Sequence, residues 1–380
     1  MYSRILTLPL QDENSIFLFG PRGTGKTAWL KNKLPNAVYI DLLDFSRYQS
    51  LAANPNHLQK LIPPDNKNWI IIDEVQRIPE LLNEVHRLIE SSQHRFILTG
   101  SSARTLKRKG VNLLAGRALR YPMHPLILQE LGVDFDLRTA LQYGMLPATK
   151  SKPNPEKYLE TYIQTYLREE VLQEGLTRNI GSFSRFLEAA SFSQGAIVNM
   201  TEIARETGIN RQVVSNYFSI LKDLLLAVRI TPFTKRAKRR LVSHPKFYYF
   251  DAGVYRTIRP TGPFDKPEEI EGIGLETLFL QSIRAINDYQ NFKYAINYWR
   301  TAKGVEVDFV LYGPKGIHAF EIKHTKTVTG KTLRGLKSFQ KDYPEAKLYL
   351  IYLGDHREYH DHINIIPFVE ALKTLPEILA

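Results

Sequence analysis

Apolar residues form uninterrupted runs in the first third of the chain, at residues 16–19, 69–72 and 96–98. The first run leads into glycines, the second into two acidic residues and the third into hydroxyl-bearing residues. Strands that are apolar on both faces are typical of parallel sheets covered by helices on both sides. The pattern therefore predicts a parallel α/β domain, which we assign to residues 1–146.

The glycine-rich segment after the first run fits G-x-x-x-x-G-K-[ST] and lies between a predicted strand and a predicted helix. Its glycines let backbone N–H groups close around phosphates, and the helix N-terminus adds its dipole. Lys26 is expected to reach the β and γ phosphates and Thr27 to hold magnesium, so ATP and Mg²⁺ are the predicted cofactors. The predicted nucleotide-binding residues are Gly20, Pro21, Arg22, Gly23, Thr24, Gly25, Lys26 and Thr27.

Polar residues at the ends of the other two runs supply the remaining candidates for ATP hydrolysis. Asp73 is expected to support the magnesium shell, and Glu74 to orient and deprotonate the attacking water. The alternative for this acidic pair is an N-cap of the helix that follows. Ser101, with Thr99 as second choice, is expected to contact the γ-phosphate from the strand tip; an ordinary strand-end cap is the alternative.

The segments GPRGTGKT, IIIDEVQRIPELL, FILTGSSA and LLAGRALRYPMHPLILQE resemble the N-terminal half of AAA+-type P-loop ATPases that carry a C-terminal DUF4143 region. The resemblance implies that an arginine from the same or a neighbouring subunit completes the ATP site. Arg117 is the preferred candidate and Arg104 the alternative. The resemblance also implies that the protein assembles into a homo-oligomer.

The middle of the chain begins with a polar, proline-bearing stretch, residues 147–158, which predicts a linker. Residues 200–230 then show two amphipathic segments separated by a turn at Gly208, with Thr201 as the predicted N-cap. This is helix-turn-helix spacing, and it predicts a winged-helix domain over residues 147–260. Arg211 and Gln212 at the start of the second helix are predicted DNA contacts; packing or protein contact is the alternative.

Basic residues support a nucleic-acid partner. The chain has 51 lysines and arginines against 39 acidic residues, a net charge of +12, and a positive field attracts phosphate backbones. A basic run where a wing would follow the second helix gives further candidate DNA contacts, although a solvated charge run is the commoner explanation. These candidates are Lys235, Arg236, Lys238, Arg239 and Arg240.

Two carboxylates and a lysine interrupt apolar strands near the end of the chain, in VEVDFVLYGPKGIHAFEIKHT. Glu321 and Lys323 are two apart in a predicted strand and project from one face, while Asp308 lies in the preceding strand. Together with Glu276 on the preceding helix, they match the helix-strand-strand-strand-helix-strand order of the PD-(D/E)xK nuclease-like core. The carboxylates could bind one or two Mg²⁺ ions for cutting phosphodiesters, with Lys323 beside the nucleophile; a binding platform without cleavage is the alternative.

The sequence thus predicts three α/β or helical domains: a P-loop ATPase domain (1–146), a winged-helix domain (147–260) and a nuclease-like domain (261–380). The expected function is Mg²⁺-dependent ATP hydrolysis coupled to binding or remodelling of DNA. The alternative is a nucleotide-controlled regulatory switch that binds a protein partner. With no cysteine and no apolar stretch of 18 residues, disulfides and thiolate metal sites are excluded, no membrane contact is expected, and a cytoplasmic location is predicted.

Overall fold

The computed structural model describes residues 2–102, 114–167, 179–235 and 244–380. The chain divides into two compact units by its internal contacts. The first contains Arg4–Pro125 and Asp223–Leu226, and the second contains Met1–Ser3, Leu126–Lys222 and Ala227–Ala380. These units do not coincide with the three expected domains, whose boundaries at residues 146 and 260 stay a prediction.

The first unit is a parallel α/β domain, as the apolar runs predicted. Its strands are β1 (Ser15–Phe19), β2 (Val38–Asp41), β3 (Ile70–Asp73), β4 (Phe96–Gly100) and β5 (Ala118–Pro122). Its described helices are α1 (Lys26–Lys33), α2 (Phe45–Ala53), α3 (His57–Lys60) and α4 (Leu81–Ser92). The strands pair in the order β2-β3-β4-β1-β5, and every neighbouring pair is parallel.

The parallel arrangement brings the polar strand ends to one edge of this sheet. In the register, Phe19 at the end of β1 lies opposite Gly100 at the end of β4, and Ile72 near the end of β3 lies opposite Leu98. Ligands of open α/β sheets bind at the carboxyl ends of the strands. The glycine-rich loop, the acidic pair and the hydroxyl-bearing segment therefore meet at that edge.

The second unit combines helices with a mixed sheet. Its described helices are α5 (Leu128–Leu131), α6 (Leu137–Tyr143), α7 (Pro147–Ser151), α8 (Pro155–Thr161), α9 (Ile180–Ser191), α10 (Met200–Thr207), α11 (Arg211–Asp223), α12 (Ala252–Ile258), α13 (Pro267–Tyr289), α14 (Arg334–Asp342) and α15 (Phe368–Leu379). Its strands are β6 (Ala227–Pro232), β7 (Lys246–Tyr249), β8 (Ala295–Arg300), β9 (Glu306–Gly313), β10 (Gly316–Lys323), β11 (Lys347–Tyr352), β12 (Glu358–His360) and β13 (Ile363–Pro367). They form one sheet in the order β12-β13-β11-β10-β9-β8-β6-β7.

The predicted linker over residues 147–158 is wrong, because this stretch forms α7 and the start of α8. Both helices have proline in their first turn, where its missing N–H removes no helical hydrogen bond. Asn154 caps the second by accepting a hydrogen bond from the N–H of Lys157. Prolines that indicated a linker therefore lie in the first turn of each helix.

The two helices predicted over residues 200–223 are present as α10 and α11. Gly208 ends the first in a left-handed conformation, at φ 67°, which glycine adopts without steric cost. The predicted cap Thr201 is wrong: Asn199 accepts the hydrogen bond from the N–H of Glu202, and Thr201 lies inside the helix. The antiparallel pair β6–β7 follows, and its assignment as a wing stays a prediction.

The predicted order of helix, three strands, helix and strand is present in the last part of the chain, as α13, β8, β9, β10, α14 and β11. Strands β8, β9 and β10 are antiparallel neighbours, and β10 pairs with β11 in parallel. Among the described residues, no helix is both long enough and apolar enough to cross a membrane.

Candidate functional site

The glycine-rich loop is closed around the ammonium group of Lys26. The Lys26 Nζ donates hydrogen bonds to the carbonyl oxygens of Gly20 (2.7 Å) and Pro21 (3.3 Å). Gly23 and Gly25 have φ of 83° and 88°, which a side chain would strain. At Gly20, an added Cβ would lie 2.2 Å from the carbonyl oxygen of Met123. The loop therefore closes around its own lysine, and its conformation depends on glycine at these positions.

Asp73 is buried at the end of β3 and is surrounded by hydroxyl groups. Its Oδ2 accepts a hydrogen bond from Thr27 Oγ1 at 2.6 Å and a second from the hydroxyl of Tyr39. Its Oδ1 accepts one from the hydroxyl of Thr99. Burial and the neighbouring Asp73 carboxylate raise the pKa of Tyr39, so this phenol stays protonated and donates. Thr99 thus orients Asp73, and the γ-phosphate contact for which it was the second choice stays a prediction.

The oxygen atoms of Thr27 and Asp73 fit a magnesium ion bound with ATP. Mg²⁺ prefers oxygen ligands and is held by one or two carboxylates together with substrate phosphates. The hydroxyl of Thr27 follows the phosphate loop directly, and the carboxylate of Asp73 lies within hydrogen-bonding distance of it. The pair could therefore hold the ion between the loop and β3.

Glu74 follows Asp73 in a left-handed conformation, with φ of 60°, which is uncommon outside glycine and costs about 1–2 kcal/mol. Its side chain caps no helix, so the N-cap alternative has no support. The side-chain amide of Gln76 donates to Glu74 Oε2 and also to Ser101 Oγ at 3.1 Å. Gln76, which the sequence analysis missed, therefore ties Glu74 to Ser101 at the strand tips.

Arg117 lies at the opposite edge of the sheet from the phosphate loop of its own chain. Its neighbour Ala118 pairs with Ser15 at the start of β1, whereas the loop follows the end of this strand. A strand of five residues spans about 16 Å. The Arg117 side chain instead forms an ion pair with Glu90. Arg117 therefore does not complete the site within one chain, and a role toward a neighbouring chain stays a prediction. Arg104 lies outside the described residues.

The predicted residues near the end of the chain come together in the second unit. Asp308 on β9 accepts a hydrogen bond from the N–H of Ile322 on β10 through Oδ2, at 2.8 Å. On β10, Lys323 Nζ lies 2.6 Å from Glu321 Oε1. Glu276 on α13 accepts a hydrogen bond of 2.9 Å from the hydroxyl of Tyr248. These residues form what we call the carboxylate cluster: Glu276, Glu306, Asp308, Glu321, Lys246 and Lys323.

Lys246 and Glu306 are the members of the carboxylate cluster that sequence analysis missed. The Lys246 side chain is 2% exposed; its Nζ forms an ion pair with Glu306 and lies 3.8 Å from Asp308 Oδ1. Glu306 also pairs with Arg300 at 3.1 Å. The period-two pattern offered a signal for Glu306, which lies two residues before Asp308 on the same face of β9. Lys246 stands on a distant strand and left no such signal.

Burial and mutual repulsion govern the charges of the cluster. Burial first, and then the Asp308 carboxylate, raise the pKa of both Glu276 and Glu321 above the ordinary value. For Lys246, burial opposes the charged form, but the carboxylates of Glu276, Asp308 and Glu306 outweigh it and raise the pKa of the ammonium. Lys246 is therefore a permanent internal cation.

The carboxylate cluster does not fit the predicted metal site. In the part of the chain that the structure describes, no group of three acidic, histidine or cysteine side chains is arranged to hold a metal ion. The oxygen atoms of Glu306, Asp308 and Glu321 are instead engaged by lysines and a backbone N–H. Glu321 Oε2 is the exception, being buried without a hydrogen-bond partner in the described residues.

A cavity of 540 Å³ opens beside Glu321 and Lys323. Three further cations line it: Lys303, Lys331 and Arg334. None of these three forms an ion pair with a described residue. Because carboxylates line only one part of the cavity and are already paired, its surface is suited to an anionic ligand.

Family models match successive segments of the chain. Residues 12–132 match an AAA domain, residues 134–265 match the domain of unknown function DUF8612, and residues 271–371 match the domain of unknown function DUF4143. The chain joins an AAA-type P-loop domain to a DUF4143 region. In the carboxylate cluster, the acidic residues belong to the DUF4143 match and Lys246 to the DUF8612 match.

Proteins of bacteria and archaea are similar to this chain over most of its length. Uncharacterised proteins of Mycobacterium bovis and Mycobacterium tuberculosis are each 25% identical over 96% of this chain and 83% of their own length. An uncharacterised protein of Methanocaldococcus jannaschii is 24% identical over 87% of this chain and 79% of its own. These matches extend across both the AAA domain and the DUF4143 region.

Two solved structures show distant likeness. The Aeropyrum pernix Orc1 protein, solved in complex with DNA, has a TM-score of 0.26 and 13% identity, over 64% of this chain and 86% of that one. Protein VC1899 from Vibrio cholerae has a TM-score of 0.24 and 13% identity, over 96% and 97%.

Only some of the residues predicted to contact DNA lie in the part of the chain that the structure describes. Arg211 and Gln212 are exposed at the start of α11. Lys235 is exposed, and its ammonium lies 4.1 Å from the centre of the Tyr312 ring. The remaining candidates lie outside the described residues: Arg236, Lys238, Arg239 and Arg240. Nucleic-acid contact at all these positions stays a prediction.

Proposed function

We propose that the AAA domain hydrolyses ATP with Mg²⁺ and that the second unit binds nucleic acid, with DNA favoured. The observation that carries the first part is the 2.6 Å hydrogen bond between Thr27 and Asp73 beside the closed phosphate loop. A hydroxyl and a carboxylate at that place are the oxygen ligands that a nucleotide-bound magnesium ion takes. ATP hydrolysis is therefore the reaction that this geometry supports best.

The side chains at the strand tips have separate roles in this proposal. Lys26 exchanges the carbonyl oxygens of Gly20 and Pro21 for phosphate oxygens when the nucleotide enters the loop. Thr27 and Asp73 would hold a Mg²⁺ ion, which would neutralise phosphate charge when bound. Glu74 accepts the proton of the attacking water, and Gln76 holds its carboxylate toward the phosphate. Ser101, on the other side of Gln76, contacts the terminal phosphate.

The second part of the proposal rests on charge. The net charge of +12 favours a polyanionic partner, and the cavity beside Glu321 is lined by Lys303, Lys331 and Arg334. Lysine and arginine side chains that neutralise backbone phosphates give binding that weakens with salt. Cleavage is not part of the proposal, because lysine ammonium groups and a backbone N–H already engage oxygen atoms of Glu306, Asp308 and Glu321. We expect the chain to work as a homo-oligomer, since a neighbouring subunit could supply Arg117.

The experiment is steady-state ATP hydrolysis by the full chain with and without single-stranded, duplex and branched DNA. Glu74→Gln serves as the blank, because it keeps the nucleotide site but removes the proton acceptor. Asp65→Asn, an exposed carboxylate of the same unit, is the matched control. We expect a 10²- to 10⁴-fold lower rate for Glu74→Gln, the range for loss of a general base. An equal rate for both variants would refute the assignment of Glu74.

A regulatory switch is the second candidate, in which the nucleotide state controls binding of a protein partner. The observation that favours it is the same pairing of carboxylates with Lys246 and Lys323, which speaks against a cutting machine. In this case the ATPase rate is slow and unchanged by every form of DNA. Stimulation by one DNA form that is abolished at high salt would exclude the switch and identify the preferred nucleic acid.

A further inference from the structure

Four carboxylates and two ammonium groups make up the carboxylate cluster, and the guanidinium of Arg300 pairs with one of the carboxylates from outside it. Lys246 pairs with Glu306 and faces Asp308, Lys323 pairs with Glu321, and Arg300 pairs with Glu306. Buried charges persist in proteins when they are paired. Three of the four acidic side chains thus face a cationic side chain of the same polypeptide, and the fourth, Glu276, accepts a hydrogen bond from the hydroxyl of Tyr248.

Lys246 stands at the centre of this arrangement because the sheet holds it there. It begins β7, which pairs with β6; β6 pairs with β8, and β8 pairs with β9, the strand of Glu306 and Asp308. Its ammonium lies 5.5 Å from the centre of the Tyr298 ring. Backbone pairing and the Tyr298 ring thus hold a lysine whose side chain is 2% exposed.

A divalent ion would have to occupy the same place. Mg²⁺ binds carboxylate oxygens at about 2.0–2.1 Å and demands near-octahedral surroundings. The Lys246 ammonium, 3.8 Å from Asp308 Oδ1 and in contact with Glu306, would lie in the first layer around an ion bound to those oxygens. Repulsion between the two cations in a buried site is strong. On β9 and β10, Glu321 Oε2 is the carboxylate oxygen of the cluster without a hydrogen-bond partner among the described residues, and on α13 Glu276 accepts a hydrogen bond from Tyr248.

We propose that the Lys246 ammonium is the resident cation of the carboxylate cluster and excludes divalent metal ions from it. A residue of the segment matching DUF8612 thereby occupies the cation position of the site in the DUF4143 region. The nuclease-like arrangement of residues then persists as a charge-balanced structure without metal.

The test counts bound Mn²⁺ ions by electron paramagnetic resonance on the full chain without nucleotide. All variants carry Asp73→Asn, so that the ATP site does not contribute. We expect no tightly bound Mn²⁺ when Lys246 is present and one equivalent in Lys246→Met. That equivalent should disappear when Asp308→Asn is added. Lys347→Met, an exposed lysine of the same sheet, is the matched control and should bind none.

Two results would overturn the proposal. The first is that the chain with Lys246 in place binds one equivalent of Mn²⁺ and loses it on Asp308→Asn. Such a result would show that the metal ion binds the cluster beside the Lys246 ammonium. The second is a folded Lys246→Met chain that binds none. If Lys246→Met unfolds, circular dichroism decides: recovery of the fold by millimolar Mn²⁺ supports a vacated cation position, and no recovery counts against it.

Discussion

Replacing Lys246 by methionine should strongly destabilise the second unit. Methionine keeps most of the apolar stem but removes the charge, which leaves Glu306 and Asp308 without their buried partner. At 3.8 Å, two opposite unit charges attract by about 4 kcal/mol at an effective dielectric constant of about 20. Removing one partner of a buried ion pair costs about 3–5 kcal/mol, because the charge that remains is left uncompensated away from water. We therefore expect the free energy of unfolding to fall by about 4 kcal/mol.

The assay is urea unfolding followed by the fluorescence of Trp299. The chain has three tryptophans; Trp29 and Trp69 belong to the first unit, so replacing both by phenylalanine leaves Trp299 as the reporter of the second. Trp299 is fully buried on β8. Its emission therefore changes when the strands around Lys246 separate.

Lys323→Met is the matched control for this measurement. Lys323 also forms an ion pair within the cluster, but its side chain is 36% exposed, so water replaces part of the lost interaction. We expect a loss of about 1 kcal/mol or less, as for exposed pairs. A second check adds Glu306→Gln to Lys246→Met, which should recover part of the stability because one unpaired carboxylate is removed. Equal losses for the two lysine variants, or no recovery, would refute the role of Lys246.

Three further predictions follow from single contacts. Tyr39→Phe removes a hydrogen bond to Asp73, so the Mg²⁺ concentration needed for half-maximal ATPase should rise about 10-fold or more; an unchanged requirement contradicts this. Gly20→Ala places a Cβ 2.2 Å from a carbonyl and should weaken fluorescent ATP binding at least about 10-fold, whereas Gly330→Ala, with nothing within 4 Å, should not. Burial, followed by Lys347, lowers the pKa of His318 to about 4. As the pH falls, the imidazole of the unfolded chain therefore takes up its proton before that of the folded chain. The free energy of unfolding of the second unit should fall as pH drops from about 6.5 to 4. An equal dependence of this free energy on pH in a His318→Asn chain, measured by urea unfolding, contradicts the prediction.

Sequence reasoning was strongest where function depends on a local motif. The phosphate loop needs its glycines, lysine and threonine within eight consecutive positions, so the printed order of residues already fixes their proximity. Asp73 and Ser101 could be added because parallel strands end at one edge of a sheet. The loop, the acidic pair and the order of elements in the DUF4143 region were accordingly found from the chain alone.

Tyr39 and Lys246 were missed because pairing between strands far apart in sequence brings them to their sites. Tyr39 reaches Asp73 only because β2 is the neighbour of β3, and four residues of β2 carry no pattern that gives this order. Lys246 enters the carboxylate cluster through the chain of neighbours β7, β6, β8 and β9. The prediction of a linker over residues 147–158 was wrong for a local reason: in the sequence, a proline in the first turn of a helix cannot be told from a proline that ends one.

The two buried aspartates show why the same residue type at a strand end leads to different chemistry. Asp73 is held by the hydroxyls of Thr27, Thr99 and Tyr39, which are neutral and leave its negative charge available to a metal ion. Asp308 faces the Lys246 ammonium, which has already neutralised it. A hydroxyl can share an aspartate with a divalent cation, whereas an ammonium competes with the cation for the same charge. From these partners we infer metal-dependent chemistry at Asp73 in the AAA domain and none at Asp308 in the DUF4143 region.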